Sequence, residues 1–176
     1  MSAALRFGPR ILEQAETLGA ITERPGMVAR SYLTSQHREA GDHIRSWMRE
    51  AGMEADYDAL GNVVGRYPGS RAGAPAVLTG SHMDSVIDAG KYDGLFGILA
   101  PIACVAELHR AGRRLPFPIE VIAFGDEEGV RFGTSMMGSK ALTGRLEASV
   151  FEIRDAAGVP LGEALRAFGG DRKSVV

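Results

Sequence analysis

Apolar residues recur at Ile11, Leu12, Ala15, Leu18 and Gly19, the spacing of a helix with one buried face, until Pro25-Gly26 breaks the pattern. A second helix is predicted from Thr34 or Ser35, either of which can cap it. It buries Ala40, Ile44, Trp47, Met48 and Ala51 and stops at Gly52. Two short runs, Ala55 to Asp58 and Val63 to Tyr67, flank Ala59-Leu60-Gly61-Asn62 and read as a hairpin. A Gly-, Ser- and Ala-rich stretch from Pro68 to Pro75 reads as a surface loop. The run Ala76-Val77-Leu78-Thr79 is of the kind found in a strand covered on both faces. Leu95 to Ala111 then predicts a largely buried helix, and Ile119 to Phe124 the next strand. Strand, helix and strand in that order make a right-handed crossover, with parallel strands whose carboxyl ends share one edge. Open α/β sheets bind their ligands at that edge.

Composition narrows the function classes. With 176 residues and 45% hydrophobic content, the chain has enough apolar material for one ordinary core. Its 20 basic and 22 acidic residues nearly balance, so it lacks the positive field that holds nucleic acid or an anionic membrane. A single cysteine excludes an intrachain disulfide and a Cys-rich zinc module. That cysteine, Cys104, is expected to be a small core residue of the third helix. The longest apolar stretch is too short to span a bilayer, and a cytoplasmic location is expected, with neither nucleic acid nor membrane as partner.

The chemistry gathers at the predicted sheet edge. After the first crossover strand the chain reads Thr79-Gly80-Ser81-His82-Met83-Asp84-Ser85-Val86 and closes with Gly90-Lys91-Tyr92-Asp93-Gly94. After the second it reads Gly125-Asp126-Glu127-Glu128-Gly129. His82 with Asp84 also fits a capped loop histidine, Asp93 an ordinary helix N-cap, and the paired glutamates a solvated turn. Three separate loops delivering such groups to one edge point instead to a cation, which offsets the repulsion among clustered carboxylates. His37 and His43, without an acidic or histidine partner at i+4, are expected on the surface or rim. His109, near the end of the third helix, is expected to serve its C-terminus, far from the cluster.

The ordered blocks Gly80 to Val86, Gly90 to Gly94, and Glu127-Glu128-Gly129-Val130-Arg131-Phe132 with Gly138-Ser139-Lys140 resemble those of the hydantoinase/carbamoylase branch of the M20 metallopeptidase-like enzymes. That branch contains allantoate amidohydrolases, N-carbamoyl-L-amino-acid hydrolases and β-ureidopropionases. The resemblance runs from about Leu12 to Gly170. It implies an α/β three-layer sandwich with a mixed, partly parallel sheet between helices, as in zinc exopeptidases. Residues 1–170 would be the N-terminal portion of a dinuclear catalytic domain, 171–176 an atypical tail, and the dimerisation or lid domain would be absent.

By the same resemblance His82 binds one metal, Asp93 bridges both, Glu128 binds the second, Glu127 is the general base, and Asp84 orients His82. The cofactors implied are two divalent ions, zinc, manganese or cobalt. The partner implied is a small ureido or carbamoyl substrate, with a homodimer for the full-length enzyme. Allantoate hydrolysis is expected. The alternatives are an N-carbamoyl-L-amino-acid hydrolase or β-ureidopropionase, a dipeptidase, and a remnant acting only as a metal-binding or interaction module. Relatives carry further histidine ligands downstream, so this segment alone is expected to hold metal weakly and to be inactive.

Overall fold

The computed structural model describes residues 4–171, so the tail expected at 171–176 lies, beyond Asp171, outside the described residues. Helix α1 (Ala4–Ala20) turns Ala15 and Leu18 inward. Leu12 is 50% exposed, because it stands about 90° around the helix from the centre of the Ile11, Ala15 and Leu18 row. Helix α2 (Ser35–Glu50) starts where expected: Thr34 is extended, and its hydroxyl accepts the His37 N–H at 3.2 Å. Its buried face is His37, Ala40, Gly41, Ile44 and Met48. The hairpin forms as β1 (Glu54–Tyr57) and β2 (Val63–Tyr67), antiparallel with Tyr57 opposite Val63.

The crossover also forms. Strand β3 (Val77–His82), helix α3 (Phe96–Arg110) and strand β4 (Ile119–Phe124) place β3 and β4 side by side and parallel, with His82 opposite Phe124. The sheet order is β1-β2-β4-β3, so the sheet is mixed: β2 runs antiparallel to both β1 and β4. Val63, Tyr67, Val121 and Ala123 of one face join Leu18, Ile44, Met48, Ile98, Leu99 and Ile102 of the helices in the main core. On the other face Val64, Ile122 and Phe124 line a groove of about 370 Å³, bordered by Ala141 and Leu142 of α4 (Met137–Leu142).

A second core, not foreseen from the sequence, collects Tyr32, Leu33 and Leu60 with Phe132, Met137 and Phe151. Phe151 belongs to a 3-10 helix (Ala148–Glu152), and α5 (Leu161–Phe168) completes the cluster with Leu161, Leu165 and Phe168.

Three expectations are corrected. Strand β3 is not covered on both faces: it is the sheet edge among the described residues, and Val77 and Leu78 are 48% and 46% exposed. An apolar run says nothing about whether a strand is central or marginal. Cys104 is exposed rather than in the core. His37 is fully buried rather than at the rim, with its ring against Tyr32 and Phe168.

Candidate metal centre

The carboxyl ends of β3 and β4 deliver the predicted groups to one place. His82 is the last residue of β3, and its Nδ1 lies 3.0 Å from the backbone carbonyl of Asp84. A carbonyl only accepts, so Nδ1 carries the proton and Nε2 keeps its lone pair for a ligand. Nε2 stands 3.6 Å from Asp93 Oδ1. Asp93 is set by the turn from Gly90, whose carbonyl accepts the Asp93 N–H at 3.0 Å. The N-cap alternative for Asp93 is not realised: α3 is capped at Leu95, with no side-chain cap bond. One ligand atom from each of His82, Asp93 and Glu128 lies within 4.8 Å of the others.

The Asp84 carboxylate has a different geometry from the one expected. It is only 2% exposed and lies 3.8 Å from His82 Nδ1, so the backbone carbonyl at the same residue is the closer partner of the ring. Its two oxygens instead accept the backbone N–H groups of Glu127 and Glu128, each at 3.1 Å. The loop after β3 thereby grips the loop after β4 at the two glutamates. Glu127 lines a recess of about 180 Å³ with Ser81, His82, Phe124, Gly125, Met136 and Ser139.

Electrostatics agree with a site built for positive charge. Burial pushes the Glu128 carboxyl up from its ordinary range, and neighbouring Glu127, Asp93 and Asp84 add to the shift while His82 opposes it. Burial likewise raises Asp84, opposed by the amides of Glu127 and Glu128. Asp126 is raised to about 7, first by burial and then by Asp84. Imidazole nitrogen and carboxylate oxygen are the donors a divalent ion of the zinc or manganese type accepts, and such an ion reverses these penalties, so the donor set fits one.

Sequence reasoning missed the support beneath the site. Arg30 is 1% exposed, and its Nε donates to the Met83 carbonyl at 2.7 Å while Nη1 donates to the Leu18 carbonyl at 2.8 Å and the Ile21 carbonyl at 3.2 Å. Burial lowers its pKa to about 10, with Asp84 opposing. It thus ties the end of α1 to the segment between His82 and Asp84. No local pattern around Ala29-Arg30-Ser31 announces this. His109 packs its ring edge-on to Tyr67, with centroids 6.2 Å apart, at the opposite end of α3 from Asp93.

Comparison with known proteins places this chain in a family. The profile of peptidase family M20/M25/M40 matches residues 78–170. An N-carbamoyl-L-amino acid amidohydrolase of Geobacillus stearothermophilus is 42% identical over 165 residues, covering 93% of this chain and 40% of the relative. Allantoate deiminase 1 of Glycine max is 43% identical over 151 residues, covering 85% of this chain and 31% of the relative. Among solved structures, a hydantoinase/carbamoylase family amidase from Burkholderia ambifaria superposes with a TM-score of 0.86 at 38% identity, covering 92% of this chain and 40% of that one. The chain therefore spans 40% or less of the length of these relatives. With the profile covering more than half of its residues, the chain belongs to peptidase family M20/M25/M40, in the branch that holds the hydantoinase/carbamoylase amidases.

Proposed function

We propose that this chain carries the cation-binding core and the general base of an amidohydrolase that cleaves a ureido or carbamoyl C–N bond, with allantoate as the favoured substrate. The observation that carries the reading is the convergence of His82, Asp93 and Glu128 within 4.8 Å, next to Glu127 in the same loop. The names of the relatives from Glycine max and Geobacillus stearothermophilus support the ureido and carbamoyl class, and the second of them keeps N-carbamoyl-L-amino acids as the alternative substrate.

His82 Nε2, Asp93 and Glu128 would hold a divalent cation, whose charge polarises a carbonyl and makes water easier to deprotonate. Glu127 takes a proton from water as the water oxygen bonds to the carbonyl carbon. It returns that proton to the departing nitrogen as the C–N bond breaks. Asp84 clamps the backbone of both glutamates, so Glu127 acts from a fixed pivot.

The test has two parts. Zinc, manganese or cobalt is titrated into the chain and into His82→Ala, Asp93→Asn and Glu128→Gln, each of which should weaken binding. Ammonia release from allantoate and from N-carbamoyl amino acids is then measured for the chain and for the chain fused to the remaining part of the Geobacillus relative. Glu127→Gln should keep its metal and lose ~10²–10⁴-fold in turnover. Metal loss in Glu127→Gln would exchange the two glutamate roles. Binding without turnover in either protein would reduce the chain to a metal-binding module.

A further inference from the structure

We infer that Asn62, in the β1–β2 turn, is a positioning residue for the loop that carries Glu127 and Glu128. This rests on the reading of Glu128 as a cation ligand. Asn62 is 2% exposed and belongs to no part of the ligand cluster. The β2–β4 ladder ends at the pair Val63 and Ala123. Beyond it, the Asn62 side chain takes over from the backbone: its Oδ1 accepts the Gly125 N–H at 2.9 Å, a buried bond. At the next residue, Asp126, the chain turns with φ +57°, and the two following N–H groups are those held by Asp84. The glutamate loop is therefore pinned on both sides, by Asn62 from the β2 side and by Asp84 from the β3 side, with only Asp126 between the anchors.

The aim of Asn62 is itself set by Asp58. Asn62 Nδ2 donates to Asp58 Oδ2 at 2.6 Å, which orients the amide so that its oxygen, and not its nitrogen, faces Gly125. Asp58 Oδ1 meanwhile accepts the Leu60 and Asn62 N–H groups at 2.9 and 3.0 Å, so the turn and the brace share one carboxylate. Gly138 closes over the same amide, where a Cβ would collide with Asn62 Oδ1, and the neighbouring Met137 N–H reaches the Asp126 carbonyl at 3.3 Å. Removing the carboxamide leaves a buried N–H unpaired two residues before Glu127, and the loop must move to satisfy it.

The experiment measures cation affinity and backbone protection in the folded chain. Asn62→Ala should weaken zinc or cobalt binding by ~10–100-fold, the loss typical of groups that orient metal ligands. Amide exchange at Gly125, Glu127 and Glu128 should quicken in the same variant. Asp58→Asn should weaken binding less, since it removes the brace and keeps the turn bonds.

Combining Asp58→Asn with Asn62→Asp should restore the wild-type affinity. The new carboxylate at 62 accepts from both Gly125 and the amide at 58, whose carbonyl oxygen still serves the Leu60 N–H. A turn residue of merely structural importance would lower the melting temperature and leave the affinity of the folded variants unchanged, and that result overturns the inference. If Asn62→Ala does not fold, Asp58→Asn and the exchanged pair decide by themselves: an exchanged pair no tighter than Asp58→Asn overturns it equally. Failure of the wild-type chain to bind any of the cations would instead overturn the reading of the site.

Discussion

Replacing Asp84 by Asn changes one oxygen for a nitrogen at the point where the loops after β3 and β4 meet. The carboxylate accepts two backbone N–H groups at 3.1 Å while 2% exposed. An amide can accept only one of them and turns its NH₂ toward the other. Hydrogen bonds to a buried charged group contribute ~1.5–3 kcal/mol each, so one is lost and the second falls to the neutral value of about 1 kcal/mol. Against this stands relief from burying a charge, the main cause of the raised Asp84 pKa, which offsets part of the loss. Arg30 also loses the negative charge that acts on it most strongly, ahead of Glu23. The net expectation is a destabilisation of ~2 kcal/mol, which at a urea dependence of about 2 kcal/mol per molar lowers the unfolding midpoint by roughly 1 M.

Because the freed N–H belongs to Glu127 or Glu128, zinc affinity should also fall by ~10–100-fold. Asp88→Asn is the control: Asp88 is exposed, and Asn tolerates its φ of +60°. Urea unfolding followed by circular dichroism, with zinc titration by calorimetry, reads both effects. A midpoint within ~0.2 M of wild type together with unchanged zinc affinity would refute the clamp assigned to Asp84.

Burial, with Arg30, Arg38 and Arg131 adding, lowers the His37 pKa from 6.5 to about 3. The folded state thus binds fewer protons than the unfolded one between these values, so stability is full above pH 6.5 and is lost as pH falls toward 3. At ~1.4 kcal/mol per pH unit, the loss reaches about 2 kcal/mol by pH 5, and it should disappear from the pH dependence of His37→Leu when the two are unfolded in urea side by side. A pH slope shared by both proteins would place the titration elsewhere. Gly80→Ala sets a Cβ against the Ile122 carbonyl of β4, a backbone atom that cannot rotate away. It should cost ~1–3 kcal/mol in thermal unfolding, and an unchanged melting temperature would mean β3 and β4 can separate freely.

Much of this protein was written locally. Thr34 before an apolar row, the turn between two alternating runs, and an apolar helix between two strands each specify their element through bonds or periodicities spanning a few residues. For that reason α2, the hairpin and the β3-α3-β4 crossover appear where expected. The crossover in turn brings His82, Asp93 and Glu128 to one edge, since chain handedness and parallel pairing leave those loops nowhere else to go. Even the exposure of Cys104 had a local signal, since it lies about 200° around the helix from the buried Ile102.

What only the tertiary structure decided are the partners chosen across long stretches of chain. Asn62 meets Gly125 across 63 positions and Asp84 meets Glu127 across 43, and both bonds depend on β2 and β3 flanking β4 in the order found. The same packing buried His37 between Tyr32 and Phe168, and left Val77 and Leu78 on an open edge. A residue's type states which bonds it can make. The fold determines which partner stands at 3 Å, because burial and bond geometry belong to the assembled layers and not to any one segment.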